Sequence, residues 1–286
     1  MPPLVVTNGA ESIQQRPRST ADACLLKTRR TEWERAPRRL HDAVTELHVE
    51  VLGQGEPAVL VHGSGPREQT WADQVALASR HRLLLPDRRG YGRSPVADPD
   101  FEVDAMDVAE LLGEGAHLVG YSYGGVGSLL AAARPPQAVR SLTVIEPAAF
   151  GVARGDAAVE KLLEGLVPLY QAASTITPEQ FDRRFDAALG LDHPPEPLNE
   201  ESRTVVEANM RERPPWEAEI RLDDLAGAPF PSLVVSGGWN SAFDAVCTVL
   251  ARTLNADRAD FPEYGSHGVQ HARGFNERLE AFWRVG

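Results

Sequence analysis

The chain has 286 residues, 42% hydrophobic and 24% charged, with 24 Gly and 22 Pro, ordinary globular usage that excludes wholesale disorder, collagen and coiled coil. Its formal net charge is −12, spread unevenly, with residues 1–40 at net +4 and the remaining body near −16; an acidic body argues against a nucleic-acid partner, whose phosphates want a basic face. No apolar run reaches the roughly 20 residues of a membrane span, no secretory signal pattern opens the chain, and Cys24 and Cys247 form neither a disulfide framework nor a zinc spacing, so a soluble cytoplasmic protein is expected.

Residues 1–45 lack hydrophobic periodicity and are rich in Arg, Thr and Pro, which predicts an N-terminal extension outside the folded core. Leu47, Val49 and Val51 then alternate with His48 and Glu50, the pattern of a half-exposed strand, with a turn at Gly53 and Gly55. Residues 58–61 form a short apolar run, as in a strand covered on both faces. An amphipathic stretch follows at about 68–79, a strand at 81–86, a helix at about 102–113 and a strand at 116–120. A helix over 122–133 meets Pro135 and Pro136, which stop it, and residues 139–145 are another buried strand. Residues 151–229 hold no strand pattern, eight prolines and 16 acidic against eight basic residues. Strand 231–236, a helix near 242–253, a strand near 256–261 and a closing helix over 269–284 complete the pattern. Strands alternating with helices predict the α/β class, a mostly parallel sheet flanked by helices. The core spans 46–150 and 230–286. Residues 151–229 read as a helical cap inserted at the C-terminal edge of the sheet, where open α/β folds bind ligands.

The chemistry centres on Gly120-Tyr121-Ser122-Tyr123-Gly124. A G-x-S-x-G between a strand and a helix is a sharp turn that exposes the serine hydroxyl at the positive end of the helix, and small flanking residues let the two backbones approach. Three further motifs accompany it: His62-Gly63-Ser64-Gly65, Asp87-Arg88-Arg89-Gly90-Tyr91-Gly92-Arg93-Ser94, and Gly265-Ser266-His267-Gly268. In order and spacing these four resemble the α/β-hydrolase superfamily, of the serine-nucleophile, cap-domain type, over residues 46–286.

The resemblance implies the α/β-hydrolase fold and a set of roles. Ser122 corresponds to the nucleophile and His267 to the general base. The backbone N–H groups of Ser64 and Tyr123 correspond to the oxyanion donors. His62 corresponds to a histidine that orders its loop, and the Asp87–Ser94 turn to a brace for the site; His271 reads as a structural or rim residue on the closing helix. Many relatives carry Gly-x-x-Asp after the strand that follows the cap, whereas this chain has Gly237-Gly238-Trp239-Asn240. Some relatives, certain haloalkane dehalogenases among them, place their acid at the end of the strand that corresponds to 139–145, 24 residues after the nucleophile, so the resemblance implies the acid at Glu146, with Asp244, or no acid partner, as the alternatives. Tyr121, Phe150, Trp216 and Trp239, in sheet-edge loops or the cap, are candidate pocket residues. The expected activity is a serine hydrolase that cleaves a small neutral ester-like or acyl substrate through an acyl-enzyme. Carbon–carbon bond hydrolysis, perhydrolysis and lactone opening use the same triad and stay open, as does a ligand-binding homologue without turnover. No ligand spacing or dinucleotide fingerprint calls for a metal or organic cofactor.

Overall fold

The short apolar runs of the sequence pair into one sheet. A computed structural model describes residues 47–134, 136–191 and 197–284; the predicted extension 1–45, with Cys24, and His193 lie outside the described residues. The strands are β1 (Val49–Leu52), β2 (Glu56–Val61), β3 (His81–Pro86), β4 (Ala116–Tyr121), β5 (Val139–Ile145), β6 (Ser232–Ser236) and β7 (Asp257–Asp260). Their order is β1-β3-β2-β4-β5-β6-β7. Among the described residues only β1 runs antiparallel to its neighbour, and every other pair is parallel.

The sheet is covered on both faces because successive residues of each strand point to opposite sides. Val59 and Val61 join one hydrophobic cluster, with Phe101, Leu129 and Val246, while Ala58 and Leu60 join the other, with Trp71, Phe275 and Leu279. Helices α1 (Arg67–Thr70), α2 (Phe101–Leu111) and α3 (Ser122–Ala132) precede β5; α8 (Ser241–Thr253) and α9 (Phe275–Trp283) follow β6. Between β5 and β6 the chain forms α4 (Ala157–Ala172), α5 (Pro178–Leu189), α6 (Glu200–Asn209) and α7 (Leu222–Ala226), with short 3₁₀ turns and no strand among the described residues. Each long helix of this insertion starts on a side-chain cap: Asp156, Thr177 and Asn199 accept backbone N–H groups that would otherwise lack partners. No described helix is long and apolar enough to cross a membrane.

One helix differs from the sequence expectation, and one amphipathic stretch resolves into two pieces. The stretch 68–79 folds as α1 and a 3₁₀ segment, Gln74–Ser79, with Arg67 and Trp71 buried at its start. The closing helix begins at Phe275, since Gly274 at φ 85° lies in the left-handed region and interrupts the rise; His271 consequently sits in a 3₁₀ turn, Val269–His271, rather than on that helix.

The turn from β4 into α3 sets the position of the site. Ser122 has φ 52°, a conformation that costs a non-glycine residue energy and persists only where the surroundings hold it. The flanking glycines make that turn possible: a Cβ on Gly124 would lie 2.2 Å from the His62 carbonyl oxygen, and one on Gly120 2.4 Å from Ser128 Oγ. Gly124→Ala is therefore expected to lose about 3 kcal/mol or more of stability, because the clash falls on backbone that cannot swing away. Urea unfolding measures this; an unchanged midpoint would mean that β2 and α3 are not in such close approach.

Candidate active site

Parallel pairing carries two chain ends to the same level. Tyr121 lies opposite Ile145 in the β4–β5 register, so Ser122 and Glu146 are the next residues out, at the C-terminal edge of adjacent strands. Both leave their strands with positive φ, 52° for Ser122 and 41° for Glu146. His267 comes from the loop between β7 and α9. Its Nε2 lies 3.1 Å from Ser122 Oγ and its Nδ1 2.8 Å from Glu146 Oε2. The Glu146 side chain is 1% exposed, and a carboxylate this buried needs partners. It has them: Oε1 accepts from Gly237 N and from the Trp239 indole Nε1, each at 2.8 Å. The imidazole is walled by rings, with Tyr121, Phe243 and Trp239 centroids at 4.8, 5.0 and 5.4 Å. Because Glu146 can only accept, Nδ1 carries the proton and Nε2 faces Ser122 as an acceptor.

The alternative acid lies elsewhere. Asp244 Oδ1 accepts from Ser236 Oγ at 3.0 Å and pairs with Arg258, and His267 Nδ1 is already engaged by Glu146. Asn240, at the Gly-x-x-Asp position, caps α8 by accepting from Ala242 N at 2.9 Å and donates to the Leu189 carbonyl at 2.8 Å.

A cavity of about 310 Å³ opens beside Ser122. Tyr121, Phe150 and Trp216, expected as pocket residues, line it, together with Ser64 and Tyr123. Trp239 does not; its side chain stands behind His267 and donates to Glu146. The insertion contributes apolar wall through Leu166, Phe185 and Leu189, and no Arg or Lys is part of the lining among the described residues. His271 is at the rim, with Nδ1 2.9 Å from Asp73 Oδ2.

The loop after β2 is held from behind. His62 is fully buried; Nε2 accepts from Arg88 N at 2.9 Å and Nδ1 donates to the Gly63 carbonyl at 2.8 Å. Burial, aided by the nearby Arg88 guanidinium, pushes its pKa down to about 3, so the ring is a neutral strut. Asp87 takes Arg67 Nε at 2.7 Å, His48 Nδ1 at 2.8 Å and Arg93 N at 3.0 Å, the brace expected of that turn. Arg88 is buried and donates to Asp104 Oδ2 at 2.7 Å, to the Gly63 carbonyl at 2.9 Å and to Glu212 Oε1 at 3.1 Å. Sequence reasoning missed Glu212, Asn209 and the bracing role of Trp239. Trp239 had a signal, a ring with a polar N–H three residues after strand β6; Glu212 lies in the insertion, where no motif marks it.

A mostly parallel sheet, with a serine in contact with an imidazole at the turn after its central strand, is an arrangement in keeping with an α/β enzyme of the hydrolase class. The chain matches the Alpha/beta hydrolase family over residues 58–278, and it belongs to that family. A pimeloyl-(acyl-carrier protein) methyl ester esterase of Aeromonas hydrophila is 29% identical over 252 residues, 82% of this chain and 98% of its own length. A 2-hydroxy-6-oxo-6-phenylhexa-2,4-dienoate hydrolase of Burkholderia cepacia is 25% identical over 260 residues, 80% of this chain and 88% of its own. A solved carboxylesterase of the thaumarchaeon Nitrososphaera gargenis shares the fold, with TM-score 0.64 at 16% identity over 84% of this chain and 94% of that one.

The neutral His62 has a consequence for stability. Its folded pKa, about 3, lies below the ordinary 6.5, so below pH 6.5 the unfolded chain binds a proton that the folded one refuses, and stability falls with pH. Asp104 opposes this: burial raises its pKa from 3.8 to about 6, which adds stability as pH falls through that window. The difference between wild type and His62→Gln isolates the histidine. Wild-type stability minus that of the variant is expected to shrink by about 1.4 kcal/mol per pH unit between about pH 6 and pH 4. Urea unfolding across that range measures it; a constant difference would contradict a neutral buried ring.

Proposed function

We propose that this protein is a serine hydrolase that cleaves a small, neutral ester-like substrate through an acyl-enzyme. The observation that carries the reading is the hydrogen-bond chain Ser122–His267–Glu146 beside a largely apolar cavity. Ser122 Oγ attacks the carbonyl carbon as His267 Nε2 takes its proton, and Glu146 stabilises the imidazolium that forms. The backbone N–H groups of Ser64 and Tyr123 receive the developing oxyanion. His267 then returns the proton to the leaving group, and water, activated by the same imidazole, releases the acid.

The curated relatives support hydrolysis at an acyl carbon: one is a methyl ester esterase and another a dienoate hydrolase. Between them the lining favours the ester. A dienoate carries a carboxylate, and the described lining holds no Arg or Lys to meet one, whereas a neutral ester is desolvated there at little cost. Residues 151–229 act in this reading as the cap, since Leu166, Phe185, Leu189 and Trp216 roof the cavity. A cytoplasmic setting and no nucleic-acid partner belong to the same proposal, in keeping with two cysteines and a net charge of −12.

Intact mass after incubation with a fluorophosphonate tests the reading. Wild type is expected to gain one adduct, Ser122→Ala none, and Glu146→Gln to react about 10²–10⁴-fold more slowly for want of a partner that fixes the imidazole tautomer. Asp244→Asn should react like wild type. Folded wild type that fails to react would overturn the proposal.

A further inference from the structure

We propose that Glu212 and Asn209, residues of the insertion, are positioning residues that hold the Gly63–Ser64 peptide in the orientation an oxyanion site requires. The inference rests on the hydrolase reading above.

The Ser64 N–H shares a planar trans peptide with the Gly63 carbonyl, so the two point in opposite directions. Whatever holds the carbonyl therefore aims the N–H. Two buried donors hold it, His62 Nδ1 at 2.8 Å and Arg88 Nη1 at 2.9 Å. Flipping this peptide would break both bonds and leave two buried donors unpaired, each at a cost of about 1–3 kcal/mol. Arg88 is in turn fixed by carboxylates on either side, Asp104 of α2 at 2.7 Å and Glu212 at 3.1 Å, and its guanidinium lies over the Tyr91 and Tyr123 rings at 5.0 and 4.3 Å.

The insertion also grips Ser64 directly. Ser64 Oγ donates to Glu212 Oε2 at 2.6 Å, and Asn209 Nδ2 donates to the Ser64 carbonyl at 3.0 Å. Tyr91 ties the pair together, its hydroxyl 2.6 Å from both Asn209 Oδ1 and Glu212 Oε1. The Asn209 amide cannot be turned round, because its donor end must face the Ser64 carbonyl. Glu212 has a fully buried side chain. Stability alone is a poor reason for such a cluster, since well-packed apolar residues stabilise a core at least as well as a buried ion pair. Convergence is the informative feature: the contacts of Glu212, Asn209, Arg88 and His62 meet on one dipeptide, and the cavity wall at Ser64 is set by side chains from outside the sheet.

Steady-state hydrolysis of 4-nitrophenyl acetate, with competition by phenylboronic acid and by the neutral amide 4-nitroacetanilide, tests this in the full chain. Boronate forms a tetrahedral adduct on the serine and reports the oxyanion site; the amide reports ground-state binding. Glu212→Gln removes the charge that faces Arg88 and turns an amide donor toward Ser64 Oγ, and is expected to lower kcat about 10²-fold, weaken boronate by a similar factor, and leave KM and inhibition by the amide within about threefold. Asn209→Ala, which leaves the Arg88 ion pairs intact, should move kcat and boronate affinity together by about tenfold. It decides the matter if Glu212→Gln does not fold. Folded variants with wild-type kcat and boronate affinity would overturn the inference, as would equal losses in boronate and amide binding, which mark a merely structural role. Wild type that neither turns over nor binds boronate would instead sink the hydrolase reading, and the inference with it.

Discussion

Everything at the site depends on one imidazole held at both nitrogens. His267 reaches Ser122 at 3.1 Å and Glu146 at 2.8 Å, and those two partners are neighbours because β4 and β5 pair in parallel register. A parallel pair ends on one edge, so a strained turn at the end of each strand delivers hydroxyl and carboxylate to the same place. The next strand out, β6, feeds the Gly237 N–H and the Trp239 indole onto the same carboxylate. Beyond it β7 leads into the loop that carries His267. The sheet order is thus also the order in which the site is assembled, as expected at the carboxyl edge of an open α/β sheet.

The loop after β6 serves the Glu146 carboxylate. Where an aspartate at residue 240 would have to reach the imidazole, Asn240 instead starts α8 and bonds the end of α5 through the Leu189 carbonyl. Trp239 and Gly237 donate to the Glu146 carboxylate. Glu146 therefore accepts three hydrogen bonds from three different partners, which satisfies a buried charge and fixes its side chain before any substrate arrives. Asp244, four residues further on, belongs to a surface pair with Arg258.

Much of this is legible in the sequence. Strands β2 to β6 stand out because both of their faces are buried, so each reads as an apolar run closed by glycine, proline or a polar residue. Ser122, Glu146 and His267 were legible because each directly follows a strand or sits in a glycine-flanked loop. The late start of the closing helix was not, since it is set by the φ of Gly274 rather than by hydrophobic period. Trp239 read as pocket because an aromatic at a sheet edge has two uses, packing and donation, and only the fold chooses between them. Glu212 and Asn209 were invisible: their partners, Ser64, Arg88 and Tyr91, lie more than 100 residues away, and a carboxylate in an acidic insertion looks like solvated surface.

Proton NMR of the imidazole N–H tests the central claim most directly, that Glu146 is the partner fixing His267. A buried Nδ1–H shared with a carboxylate resonates far downfield and exchanges slowly. Wild type should show such a signal, which His267→Ala removes and Glu146→Gln shifts upfield, with Asp244→Asn leaving it in place. A downfield signal unmoved in Glu146→Gln, or lost in Asp244→Asn, would contradict the account.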